Sequence, residues 1–93
     1  LTEEGYRPDV YYQYQNCLII GEAKTSDDVA RVHSKMQFES YLKKCSLFHG
    51  DAVFLAAVPW TEHATIYNLL KKLQKRYPGV YKVRIIDGIG GAI

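Results

Sequence analysis

The chain has few of the features that assign a protein to a class at once. It contains two cysteines, three prolines, one methionine and one tryptophan among its 93 residues. No apolar run approaches the ~20 residues of a membrane-spanning helix, and no secretory signal stands at its start. We therefore expect no membrane partner. The formal net charge of +2 is too small to indicate a polyanionic partner by itself.

The two cysteines, Cys17 and Cys45, lie in apolar stretches and do not form a C-x-x-C pair. This spacing argues against a zinc site. We interpret both as buried, reduced side chains, which predicts a cytoplasmic protein.

The composition is that of an ordinary globular protein, with 47% hydrophobic and 24% charged residues. A chain of this length is sufficient for one small core, so residues 1–93 are expected to form a single domain. Basic side chains are clustered in three segments: Lys71, Lys72, Lys75 and Arg76; Lys43 and Lys44; Lys82 and Arg84. Such clusters neutralise phosphates in nucleic-acid-binding proteins, although a solvated helix surface is the better explanation of each cluster taken alone.

Hydrophobic patterning predicts the element order β-β-α-β-α-β. Strands are expected over residues 6–14, 17–25, 52–58 and 80–86, and helices over 26–48 and 61–77. Ser26 and Thr61 are the expected N-caps. An apolar stripe is predicted on the first helix, formed by Val29, Val32, Met36 and Leu42. A hairpin followed by βα crossovers predicts an α/β fold, a mixed sheet with helices packed on it.

Two acids and a lysine are expected to meet on the hairpin. Glu22 and Lys24 are two apart on one strand and so share a face, and a turn near residues 15–16 lays Asp9 beside Glu22. Two close carboxylates repel unless a cation lies between them. With the carbonyl of Ala23, they offer the oxygen ligands that Mg²⁺ or Mn²⁺ prefers. The alternative is a simple cross-strand salt bridge to Lys24.

Pro8-Asp9 followed by Glu22-Ala23-Lys24 resembles the signature of the PD-(D/E)XK nuclease superfamily. Gln37 and Tyr41, four apart on one face of the next helix, resemble the Q-x-x-x-Y motif of its RecB-type branch. The resemblance covers about residues 6–58.

The resemblance implies a restriction-endonuclease-like core and a nuclease that hydrolyses DNA phosphodiester bonds with a metal-activated water. Asp9, Glu22 and the Ala23 carbonyl would hold Mg²⁺ or Mn²⁺, and Lys24 would be the catalytic lysine. Gln37 and Tyr41 would support the site or touch nucleic acid. A homodimer is one assembly that the analogy suggests, and the sequence does not fix it.

The family commonly has a further acid on a helix before the first strand. Here that region is reduced to residues 1–4, so we expect an upstream helix to be lacking, with Glu3 or Glu4 as weak substitutes. This departure favours the alternative of a catalytically inactive nucleic-acid-binding or scaffolding module of the same fold. An RNA-directed nuclease of the same fold is a further alternative.

Overall fold

The hydrophobic period alternates along the chain between that of a strand and that of a helix. The described residues accordingly form four strands and three helices. The structure, a computed structural model, describes residues 5–29 and 31–88. The elements follow in the order β1 (Val10–Tyr14), β2 (Cys17–Ala23), α1 (Ser26–Val29), α2 (Val32–Leu47), β3 (Asp51–Ala57), a 3₁₀ turn (Trp60–Glu62), α3 (His63–Arg76) and β4 (Lys82–Ile86). The expected α/β class, with a mixed sheet and helices, is confirmed.

The four strands form one sheet in the order β1-β2-β3-β4. β1 is antiparallel to β2, while β2, β3 and β4 are parallel to one another. The hairpin turns at Gln15, whose φ of 53° lies in the left-handed region. β2 and β3 are therefore the inner strands, as their apolar sequences predict.

The two long helices lie on the same side of the sheet. Each connects one parallel strand to its neighbour, and such crossovers are almost always right-handed. Since both crossovers move in the same direction across the sheet, α2 and α3 are brought to one face and contact each other.

The core fills the space between this face and the helices. Alternate residues of β2 point into it, with Leu18 and Ile20 fully buried. Phe54 on β3 contacts the rings of Phe38 and Tyr41 on α2, with ring centroids 5.8 and 5.9 Å apart. The next inward position of β2 is occupied by Glu22 rather than by an apolar residue.

The opposite face of the sheet is largely apolar. Val10, Tyr12, Tyr14 and Ile86 are between 42% and 62% exposed there, and α2 and α3 pack against the other side. Within residues 5–29 and 31–88, no helix combines the length and the apolar character that crossing a bilayer requires.

The first predicted helix is two helices in the structure. α1 is a single turn, and α2 begins after Arg31, whose extended backbone (φ −72°, ψ 143°) interrupts the helical path. No side chain caps α2 or α3, so the expected cap at Thr61 is wrong. Ser26 is the first residue of α1 instead of its cap, and the carbonyl of Thr25 accepts the first hydrogen bonds of the turn.

The predicted apolar stripe is also wrong in part. Val29 and Leu42 are buried, but Val32 and Met36 are 71% and 51% exposed. The face of α2 that packs against the core is partly polar. A prediction from hydrophobicity alone therefore identifies the wrong face of the helix as the buried one. Its buried residues are Ser34, Gln37, Phe38, Ser40, Tyr41, Leu42 and Cys45.

Candidate active site

Glu22 lies at the carboxyl end of β2, on the face covered by the helices. The residue is only 7% exposed. A buried carboxylate is costly unless it is paired and hydrogen-bonded. The ammonium of Lys24 lies 3.3 Å from Glu22 Oε2 and supplies the countercharge. Ligands of open α/β sheets commonly bind at this edge, where parallel strands end.

Asp9 reaches Glu22 from the neighbouring strand. The register pairs Val10 with Gly21, so that Asp9 stands opposite the end of β2. Its N–H donates to Glu22 Oε1 at 3.1 Å, and its Oδ2 accepts the N–H of Ala23 at 2.8 Å. The Asp9 side chain is exposed. Its second oxygen, Oδ1, forms no hydrogen bond with the described residues, so it faces the open side of the site.

Lys24 joins the sheet to α2. Its N–H donates to the carbonyl of Ala57 at 2.9 Å, which extends the β2–β3 pairing by one residue. Its Nζ donates to Gln37 Oε1 at 2.5 Å and contacts Glu22. The side chain is 12% exposed. The ammonium therefore has a fixed position beside both carboxylate-bearing strands, and one of its three protons remains for another acceptor.

Tyr41 lies one helical turn after Gln37 and is fully buried. Its hydroxyl forms no hydrogen bond of regular geometry with the described residues. Burial, followed by the negative charge of Glu22, raises the pKa of Tyr41 far above its usual value. The hydroxyl is therefore protonated at neutral pH, and it lies beside the Glu22 carboxylate.

The donors at this edge are oxygen atoms of the kind that hard divalent cations bind. No group of three or more His, Cys, Asp or Glu side chains with metal-binding geometry occurs within the described residues. A metal would depend on two carboxylates, those of Asp9 and Glu22, and on the carbonyl of Ala23. This set fits Mg²⁺ or Mn²⁺, which keep several water ligands, better than it fits zinc. The unpaired Oδ1 of Asp9 is consistent with that fit.

The tyrosines of β1 do not belong to the candidate site. Tyr12 and Tyr14 are on the opposite face of the sheet. Tyr11 is on the helix side, where its hydroxyl donates to Gln13 and Lys44 Nζ lies 5.7 Å from its ring. Glu3 and Glu4, the suggested substitutes for the upstream acid, lie outside the described residues. The cysteines are both free, with Cys45 buried and Cys17 half-buried.

Comparison with protein-family models, with curated proteins and with solved structures found no match to this chain. The function is therefore inferred from the resemblance of the short motifs and from the geometry of the five candidate residues: Asp9, Glu22, Lys24, Gln37 and Tyr41.

A second polar cluster lies two strands away and was not predicted. The Nδ1 atom of His63, at the start of α3, contacts the carboxylate of Asp87 just after β4. The His63 ring stacks on Tyr67, with an interplanar angle of 14°. These residues are far apart in the sequence and on different elements, so no spacing rule connects them.

Proposed function

We propose that this chain is a Mg²⁺- or Mn²⁺-dependent nuclease of the PD-(D/E)XK type with a restriction-endonuclease-like core, and that it cleaves phosphodiester bonds of DNA. The observation that carries the proposal is the pair of reciprocal hydrogen bonds between the Asp9 and Glu22 segments, with the Lys24 ammonium alongside. The buried carboxylate of Glu22 and the largely buried ammonium of Lys24 are costly to keep at the end of an inner strand, and a catalytic site is a reason to keep them there.

Asp9, Glu22 and the Ala23 carbonyl would hold the ion. The chemistry that such an ion supplies when bound is that of a Lewis acid, which acidifies water and neutralises negative charge on a phosphate. Asp9 is the exposed member of the set. A substrate phosphate would therefore approach the ion from the side on which Asp9 lies. Glu22 is the buried member, and its position is fixed by the Asp9 N–H and by Lys24.

Lys24 is the group that contacts the reacting phosphate in this scheme. Gln37 and Glu22 orient its ammonium, and its remaining N–H donates to a phosphate oxygen on which charge develops. Donors that are already in place stabilise such charge without reorganisation. Gln37 acts through Lys24, and Tyr41 acts through the Glu22 carboxylate, so both are positioning residues.

The alternative is a module of the same fold that binds nucleic acid without cleaving it. One observation favours it: Lys24 is already engaged by Glu22 and Gln37, so the site is also satisfied as an ion pair with a hydrogen bond. RNA as the substrate is a variant of the nuclease proposal, and parallel assays with DNA and RNA oligonucleotides separate the two.

The test is cleavage of labelled DNA in Mg²⁺ or Mn²⁺ by the wild type and by Lys24→Ala. Loss of one donor to developing charge is expected to lower the rate by about 100-fold or more. Lys72→Ala, which removes an exposed lysine on α3, is the matched control and should cleave normally. Wild-type cleavage by Lys24→Ala would remove the lysine from the mechanism, and an inactive wild type would favour the binding module.

Lys24→Ala leaves Glu22 buried without its countercharge, which destabilises a fold. Asp9→Asn is therefore the second variant. An Asn oxygen still accepts the Ala23 N–H, while one negative charge of the cation site is lost. Far-ultraviolet circular dichroism should match that of the wild type, and cleavage should fall.

A further inference from the structure

A groove of about 470 Å³ lies between α3 and the edge strand β4. We call it the α3–β4 groove. Its helix side is formed by Tyr67, Lys71 and Gln74, and its strand side by Lys82, Val83 and Arg84. No residue of the candidate active site lines it. Its volume is in the range of pockets that bind ligands of nucleotide size.

The groove carries positive charge on both sides. Lys71 lines it from the helix, and Lys82 and Arg84 line it from the edge strand, where they alternate with the inward-facing Val83 and Ile85. No aspartate or glutamate lines the groove. None of these three cations forms an ion pair with a described residue. The carboxylate of Asp87, just beyond the end of β4, is engaged by His63. The ligand that fits this charge is an anionic chain that lies along the open edge of β4 and reaches Lys71.

The floor and one end of the groove offer apolar and aromatic surface. Leu70, Val83 and Ile85 lie along it. The Tyr67 ring is 46% exposed and stacks with His63, and Lys71 Nζ lies 5.6 Å from its centroid. Cations beside an exposed aromatic face are the combination that binds the phosphates and the bases of an unpaired strand.

The groove reaches the end of the sheet that carries the candidate active site, where the parallel strands have their carboxyl ends. Glu22 is in register with Ala56 on β3, and Ala56 is in register with Ile85 on β4. Two strand spacings, about 10 Å, therefore separate the two sites along this end of the sheet. A polynucleotide that crosses this end from Glu22 reaches the groove at His63.

We propose that the α3–β4 groove binds a single-stranded segment of nucleic acid. A duplex presents its phosphates on the outside and cannot bring bases to the Tyr67 ring, whereas an unpaired strand can do both. β4 is also an open sheet edge, to which an extended acidic peptide can add. The stacked His63–Tyr67 rings favour the nucleic acid. The groove's link to cleavage rests on the proposed nuclease function, but binding in the groove does not.

The test is fluorescence anisotropy of a labelled oligothymidylate of about 12 nucleotides with the full chain, in EDTA to prevent cleavage. In the double variant Lys71→Gln/Lys82→Gln, the slope of log K against log salt concentration should become shallower by about 1.4, since each phosphate contact with a single strand contributes about 0.7. Tyr67→Ala should weaken binding about fivefold or more through lost stacking.

The matched control is Lys72→Gln/Lys75→Gln, which removes the same charge from exposed positions of α3 outside the groove. Its slope should stay near that of the wild type. Equal loss in both double variants would overturn the proposal, since the charge would then act without a site. Displacement of the oligonucleotide by duplex DNA or an acidic peptide at lower concentration than by unlabelled oligothymidylate would also overturn it.

Failure of this proposal is distinguishable from failure of the nuclease proposal. Oligonucleotide binding in EDTA reports on the groove alone, and cleavage in Mg²⁺ or Mn²⁺ reports on the candidate active site. If the groove variants weaken binding but the wild type never cleaves, the groove proposal holds and the nuclease proposal fails. Normal cleavage by the wild type, together with oligonucleotide binding that the groove variants do not change, supports the nuclease and removes the groove.

Discussion

The Tyr41 hydroxyl provides a sharp test of the site because it is buried without a regular hydrogen bond to the described residues. Less than 1 Å² of the oxygen is accessible. A buried polar group that lacks a partner costs about 1–3 kcal/mol. Tyr41→Phe removes that group and keeps the ring that contacts Phe54. We expect the free energy of unfolding to rise by about 1 kcal/mol, the lower end of this range, because the hydroxyl also interacts with Glu22.

Tyr81 is the matched control. It is also a buried tyrosine, 8% exposed, but its hydroxyl donates to the carbonyl of Tyr77 at 2.6 Å. Tyr81→Phe loses a formed hydrogen bond, so its free energy of unfolding should fall by about 1 kcal/mol. The two substitutions remove the same atom and should change stability in opposite directions.

The assay is urea unfolding at pH 7 without divalent ions, followed by circular dichroism. A change of 1 kcal/mol corresponds to a shift in Tm of about 4–8 °C for a domain of this size. If Tyr41→Phe is destabilised as much as Tyr81→Phe, the Tyr41 hydroxyl has a strong partner in solution and the reasoning fails. A variant that gains stability and loses cleavage would assign the hydroxyl to function.

Further predictions concern a thiol and two glycines. Burial raises the pKa of Cys45 to about 12, so a thiol reagent at pH 8 should modify Cys17 quickly and Cys45 only on unfolding. The unfolded thiol ionises near pH 9 and the folded one does not. The contribution of Cys45 to stability is therefore present below pH 9 and should fall by about 1 kcal/mol per pH unit between pH 10 and 11. Urea titrations of the wild type and of Cys45→Ala at each pH measure this contribution, and equal slopes in the two proteins would contradict the burial. Gly50 has a φ of +147°, and a Cβ there would collide with the backbone of Asn16, so Gly50→Ala should lose more than about 1 kcal/mol in urea unfolding. Gly88→Ala meets open space and should unfold like the wild type.

The strand half of the candidate site could be predicted from local rules. The period of two places Glu22 and Lys24 on one face of β2, and a short hairpin fixes the position of Asp9. These rules depend only on residues within one strand or one hairpin. Tertiary packing therefore does not alter the positions that they predict.

The helix half was harder to predict. The core-facing side of α2 includes Gln37 and Ser34, and the apolar Val32 and Met36 point to solvent. A hydrophobic pattern cannot select a face that includes buried polar residues, of which Gln37 contacts Lys24. The spacing of Gln37 and Tyr41 located that face only through the resemblance to a known motif.

The α3–β4 groove could not be predicted from spacing. The sequence placed Lys71 in one basic cluster with Lys72 and Lys75, and Lys82 with Arg84 in another. The crossover from β3 through α3 to β4 brings Lys71 to the second cluster and leaves Lys72 and Lys75 outside the groove. This selection depends on helix rotation and strand order, which are properties of the assembled sheet.

The central claim is that Asp9 and Glu22 form a divalent cation site, and isothermal titration calorimetry of Mn²⁺ into the intact chain tests it without any assumption about substrate. We predict one ion per wild-type chain, and affinity about tenfold or more weaker in Asp9→Asn. Asp51→Asn, which changes an exposed acid at the opposite end of the sheet, should bind as the wild type does. Absence of Mn²⁺ binding by the wild type, or equal affinity in Asp9→Asn, would contradict the account.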